Sequence, residues 1–163
     1  MPHSECTSPG ALTSEKSTTS ASLGNTVYLV TGANTAVRDL SRTEDLQALE
    51  CEDKSRLIIV KIDGNVDLDA SHAVSGLQSS HGIDHIDTVV ANAGIESWFG
   101  PTTIILLSRL RSHFEINALA PLALFLGTWP LLQRSGDSKF VPISSRLGSI
   151  SKVKNTAAAD LAC

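Results

Sequence analysis

These 163 residues predict an α/β fold built on a doubly wound parallel sheet, and three observations lead there. Apolar runs rich in β-branched residues recur along the chain, which is the pattern of strands buried on both faces. Amphipathic helical stretches alternate with those runs, as crossovers between parallel strands require. Short stretches of Gly, Asn, Ser and Thr follow the strands, where open α/β sheets place their ligands.

The first strand is residues 26–30 (TVYLV), an unbroken run that stops at Thr31 and Gly32. Residues 56–62 (RLIIVKI) and 86–90 (IDTVV) read the same way. Between those two, Asp69 is placed to cap a helix whose apolar residues Ala70, Ala73, Val74 and Leu77 fall at i, i+3, i+4 and i+7, and Gly82 ends it. The three together predict a strand, helix, strand unit with a right-handed crossover. A longer helix follows over residues 108–133, with Leu107, Leu110, Phe114 and Pro121 along one stripe. Residues 139–144 supply a fourth strand, in which Pro142 removes one ladder donor.

Length allows one domain of ordinary size. Residues 1–25 hold six Ser and four Thr with hardly any periodic apolar positions, so they bury too little surface to offset their ordering entropy and are expected to be disordered. The domain is expected to occupy residues 26–150, and residues 151–163 an irregular tail. The first 25 residues also lack the basic and apolar regions of a secretory signal and the arginines of a transit peptide, which predicts a soluble, cytoplasmic protein. Residues 118–126, the most apolar stretch, are broken by Pro121 and too short for a bilayer. A net charge of −4 with scattered basic residues gives no footprint for nucleic acid. Cys6, Cys51 and Cys163 have neither the number nor the spacing of a disulfide framework or a zinc site. No metal site is expected: residues 63–69 (DGNVDLD) lack the central Gly and terminal Glu of a calcium loop, and His81 and His85 have no third ligand, so both read as surface loop histidines.

The chemistry-bearing candidates follow the strands: Thr31 and Gly32, Asp63, then Asn92, Ala93 and Gly94, and finally Ser145. Asn117 joins them from the long helix, because Pro121 four residues later denies its carbonyl a helical donor and predicts a kink. Its amide on an apolar stripe needs a partner, since an unpaired one costs roughly 1 to 3 kcal/mol. Taken singly these signals are weak. Gly32 alone is more often an ordinary turn glycine, and Asn117 alone is as readily a buried amide satisfied by neighbouring backbone.

In order along the chain, VTGAN (30–34), ANAG (91–94), Asn117 and ISS (143–145) resemble the short-chain dehydrogenase/reductase family over residues 26–150. The stretches VYLVTGAN, HFEINALAPLALF and SSRLGSI are similar to the fungal ketoreductases of aromatic polyketide and mycotoxin pathways. The resemblance implies a Rossmann-like domain, NADP as cofactor and a small ketone or alcohol as substrate. It puts Gly32 under the diphosphate, with Thr31 beside it, Asp63 against adenine, and Asn92, Ala93 and Gly94 around the adenosine. It gives Asn117 the water of a proton relay and Ser145 the substrate carbonyl. It also implies a homo- or hetero-oligomer through the helix around Asn117.

Two departures stand against activity. The family continues TGxxxGxG where this chain reads TGANTAVRD, with Ala36 and Arg38 in place of glycines, as though roughly twenty residues of glycine loop, helix and strand had dropped out of the crossover. Arg38 suits a 2′-phosphate in an intact relative and here reads rather as a solvated loop charge. The family's YxxxK, expected about a dozen residues past Ser145 to supply the general acid, is replaced by SKVKNTAAADLAC. Tyr28, the one tyrosine, sits in the first strand. The sequence thus predicts an incomplete domain without turnover, and alternatively a non-catalytic module that associates with an intact reductase.

Overall fold

The computed structural model describes residues 25–32, 44–51, 55–98, 100–145, 148–149 and 151. The substituted glycine positions Ala36 and Arg38, nearly all of the 1–25 tail and nearly all of residues 151–163 lie outside the described residues. Three strands, β1 (Tyr28–Val30), β2 (Thr88–Ala91) and β3 (Lys139–Pro142), form a parallel sheet in the order β1-β2-β3. The helices are α1 (Glu44–Gln47), α2 (Asp69–His81), α3 (Leu107–Phe114) and α4 (Ala120–Leu132), with a 3₁₀ turn at Thr102–Ile104. This is the expected Rossmann-like arrangement in partial form.

One helical layer covers one face of the sheet. Ala70 and Val74 of α2, Val89 and Ala91 of β2, and Leu124, Leu131 and Leu132 of α4 form the core with Ile86, and Leu29 and Phe140 pack against it. Leu29, Val89 and Phe140 share a rung, so their side chains point the same way. The rungs on either side turn Tyr28, Val30 and Val141 outward, and all three are exposed. The α2–α4 contact is close because Gly127 has no side chain: a Cβ there would stand 3.0 Å from the Ser71 nitrogen.

The expected α2 is present. Ala70, Val74 and Leu77 are buried, and Gly82 ends the helix at φ 67° with its N–H on the Gln78 carbonyl and Ile83 N–H on Leu77. Asp69 does not cap it, because it is already the first helical residue; its carboxylate instead accepts from the Asp63 N–H at 2.7 Å and closes the preceding loop. Pro142 lies within β3 without cost. Lys139 N–H bonds Asp87 and Ile143 N–H bonds Ala91, so the odd-numbered residues face β2 and the proline's missing donor faces the open edge.

The strand expected over residues 56–62 is corrected. Residues 55–62 belong to no sheet and donate no backbone hydrogen bond to β1. A strand needs a neighbour, and the neighbouring position is a cavity of about 870 Å³ lined on one side by residues 25–32 and on the other by residues 55–60.

The long helix is continuous from Leu107 to Leu132, with its α3 and α4 parts joined by a π-helical turn at Glu115–Leu119. The expected kink takes this form: the ladder widens, Ala120 N–H reaching the Glu115 carbonyl, immediately before Pro121. By length and composition alone the whole helix is long and apolar enough to cross a membrane, although residues 118–126 by themselves are not. One side of it packs on the core, with Leu124, Gly127, Thr128, Leu131 and Leu132 buried, while only 33% of its apolar window is buried, and its first turns carry Arg109, Arg111, His113 and Glu115.

At the amino end of the sheet, His85 lies in a loop as expected from sequence, partly covered and flanked by two aspartates. Its Nδ1 lies 2.7 Å from Asp84 and its Nε2 3.4 Å from Asp87. The hydrogen bond with Asp84, together with the charge of both aspartates, raises the imidazole pKa against the opposing effect of burial. Burial pushes the Asp87 carboxyl up, but hydrogen bonds from the Ser135 hydroxyl and the Val27 N–H outweigh it and hold the group low. Asp87 therefore ties the starts of β1 and β2 to the turn before β3.

Candidate functional site at the carboxyl end of the sheet

Four of the expected residues meet where β1 and β2 end. Thr31 N–H bonds the Val90 carbonyl at 3.0 Å, and the Thr31 hydroxyl oxygen accepts from the N–H groups of Asn92 and Ala93, both at 3.2 Å. The Asn92 amide reaches back to the Gly32 carbonyl at 3.2 Å. Gly32 has φ 70°, and a Cβ on it would lie 2.6 Å from the Ala93 Cα. Only glycine fits there, on conformational and on steric grounds. The atom that excludes a side chain belongs to Ala93, so the neighbouring turn alone accounts for this glycine.

Gly94 and Asn117 complete the cluster. The Asn117 side chain accepts from the Ile95 N–H and donates to the Ile95 carbonyl, both at 2.8 Å, which uses an amide's two functions on one residue. A Cβ on Gly94 would sit 3.4 Å from the Asn117 oxygen, in ordinary contact. Asn117 is exposed rather than buried, so the expected burial of its amide is corrected, whereas the expected backbone partner is present.

Two residues that sequence reasoning passed over act beside it. The His113 Nε2 accepts from the Ser97 N–H at 2.9 Å, and the Arg109 guanidinium bonds the Ser97 carbonyl and stacks 5.6 Å over Trp98. Arg109, His113 and Asn117 are spaced i, i+4, i+8 and form one polar face that grips residues 95–98. That spacing was visible in the sequence, but the apolar stripe around it drew the reading.

Asp63 and Ser145 stand apart from the cluster. Asp63 lines the same cavity as Thr31, Gly32 and Ala93, but its carboxylate accepts from the backbone and side-chain N–H groups of Asn65 at 3.0 and 2.9 Å. Ser145 leaves the carboxyl end of β3 exposed, and the Gly148 N–H contacts its hydroxyl at 3.4 Å. No hydrogen bond joins Ser145 to Asn117 among the described residues.

Asn92, Ala93 and Gly94 form a tight turn of small residues beside Thr31. The diphosphate site that the resemblance implies needs a helix N-terminus following the first strand, and among the described residues only α1, four residues long, lies between β1 and residues 55–62. No group of three or more His, Cys, Asp or Glu side chains among the described residues is arranged to hold a metal.

No protein-family model matches the chain. It is 38% identical over 159 residues to a norsolorinic acid ketoreductase of Dothistroma septosporum, covering 83% of this chain and 59% of that protein. A norsolorinic acid ketoreductase of Aspergillus parasiticus is 35% identical over 158 residues, with 83% and 58% covered. Among solved structures, the NADPH-bound carbonyl reductase from chicken fatty liver superposes with a TM-score of 0.62 at 18% identity, covering 85% of this chain and 56% of that one. The chain thus spans about 60% of the length of the curated relatives it matches. The likeness carries both the sequence motifs and the parallel sheet that positions them: the chain belongs to the short-chain dehydrogenase/reductase family and is related to the norsolorinic acid ketoreductases of fungal secondary metabolism.

Proposed function

We propose that the chain carries the ketoreductase scaffold of a fungal polyketide pathway in a form that does not itself turn over a ketone. In this reading Thr31, Gly32, Asp63, Asn92, Ala93 and Gly94 correspond to the NADP side of the site, and Asn117 and Ser145 to the substrate side. The supporting observation is the uneven state of the site: the sheet-end cluster is fully hydrogen-bonded, while the position beside β1 is a cavity. A phosphate cradle needs both. The chain also contains no tyrosine beyond Tyr28, so no phenol stands near Ser145 to protonate an alkoxide. Loss of general acid assistance costs about 10² to 10⁴ in rate, before any loss of cofactor positioning.

The test is titration of the chain with NADPH, followed by cofactor oxidation with an aromatic polyketide ketone. No saturable binding at micromolar concentration and no oxidation above background are expected. Turnover abolished by Ser145→Ala would overturn the proposal.

A second reading, an interaction module, is favoured by the outer face of the long helix. Leu107, Leu110, Phe114, Leu122 and Leu126 are all more than half exposed. Apolar side chains clustered this way mark partner sites on soluble proteins. A full-length relative is the partner this reading requires, in a soluble, cytoplasmic complex.

A further inference from the structure

The cavity beside β1 has the shape and the chemistry of a vacant strand position. On its inner wall, Thr31 N–H and the Val27 carbonyl bond β2, so alternation turns the N–H and C=O of Tyr28 and Val30 to the cavity. On its outer wall, residues 55–62 lie in no helix or strand and make no backbone ladder with the other described residues. They run in the same sense as β2: the Arg56 guanidinium bonds the His81 carbonyl at the end of α2, ahead of β2, and Gly64 lies against Ile116 and Ala120, beyond its end. The cavity between the two walls, about 870 Å³, is large enough to admit a segment of chain. A peptide strand is also the one ligand that pairs with unpaired backbone on both walls.

We propose that a second copy of this chain fills this position, each copy inserting its residues 55–62 between β1 and residues 55–62 of the other. The exchange closes on itself about a two-fold axis normal to the sheet. Across the dimer the order is β3, β2, β1, then the partner's 55–62, this chain's 55–62, and the partner's β1, β2 and β3. Each inserted segment is antiparallel to both of its neighbours, and the two inserted segments lie side by side at the axis. Every free edge in either cavity gains a partner, and the two identical contacts satisfy the self-complementarity that a two-fold interface requires. Centred between Ile59 and Val60, the antiparallel pair sets Arg56 opposite Asp63 and Leu57 opposite Ile62, so no like charges face one another. The proposal concerns assembly and stands independently of whether the chain reduces a ketone.

Sedimentation over a concentration series tests it together with amide exchange at Tyr28 and Val30. A dimer is expected, with those two amides protected only where the dimer is populated. Ile59→Pro removes a donor that makes no bond within one chain, so the circular dichroism of the monomer should hold while the dimer weakens at least ~10-fold. Arg56→Asp, which sets an aspartate opposite Asp63 of the other copy, should weaken it also, and Arg56→Lys should not. A chain that stays monomeric throughout would overturn the proposal, whether or not Tyr28 and Val30 are protected by its own residues. So would a dimer indifferent to Ile59→Pro and Arg56→Asp but abolished by Leu122→Glu.

Discussion

Gly32 carries two constraints at once, a positive φ and a 2.6 Å approach of Ala93. Neither relaxes easily, because the obstructing atom is backbone. Gly32→Ala is therefore expected to cost at least ~2 kcal/mol, measured by denaturant unfolding, and to loosen the Asn92–Gly94 turn. The sequence marked this position, but it could not say that the close neighbour is the chain's own turn. For Asn117 it marked the residue and its need for a backbone partner but not which one, since which backbone a side-chain amide meets is a long-range matter. His85 lies in the loop expected of it, and its two aspartates are local, one and two residues away. Its raised pKa gives a pH dependence of definite sign. The folded state binds the proton more tightly than the unfolded state, so the stabilisation is complete below the ordinary histidine value and is lost as pH rises through the raised one. Asp84 and Asp87, both held low, act in the opposite sense and lose their contribution only as pH falls below the carboxylate range. Unfolding experiments between mildly acidic and mildly basic pH should show stability declining, and His85→Gln should flatten the decline. Exposure of Asp84 keeps the effect small.

Among the elements, α2, β2 and β3 were legible because each is specified locally by its apolar period and its terminating residue. Residues 56–62 carry an equally good strand pattern and form no strand, since pairing is supplied by a neighbour and not by the segment. The long helix shows the reverse case. Its apolar residues run around more than one face, and the sheet and α2 bury only the side holding Leu124, Leu131 and Leu132. The other side displays Leu122 and Leu126, at 52% and 63% exposure. Leu122→Glu with Leu126→Glu is expected to leave folding stability within about 0.5 kcal/mol, because neither side chain is buried, and to reduce binding of hydrophobic dye and higher-order association in light scattering. Gly127 belongs to the buried side. A methyl group there would press on the backbone of Ser71 and Ala70 at 3.0 and 3.1 Å. Gly127→Ala should destabilise by roughly 1 to 3 kcal/mol, although alanine is the better helix former by about 1 kcal/mol.

At the scale of the molecule, the sheet is well bonded at both of its ends and, among the described residues, unpaired along the outer sides of both β1 and β3. Asp87 fastens the amino end, Thr31 and Asn92 the carboxyl end, and both sets of contacts lie between β1 and its inner neighbour. Among the described residues no strand lies on the far side of β1, and 23 residues separate Gly32 from Arg56, fewer than the family's strand with its return helix takes together with α1. Supplying that missing unit is accordingly the most direct test of how cavity, assembly and cofactor seat are linked. Grafting the glycine loop, helix and strand of a norsolorinic acid ketoreductase between Asn34 and Val37 would place a strand beside β1 and a helix N-terminus beyond Gly32. The unfolding midpoint is expected to rise by at least ~5 °C, because the added strand buries the cavity walls. Tyr28 and Val30 amides should then be protected in the monomer, the strand-exchanged dimer should disappear, and NADPH should bind. Reduction of a ketone should remain absent, because the graft brings no phenol to Ser145. A graft that folds and binds NADPH while the dimer persists unchanged would show that assembly does not run through the cavity.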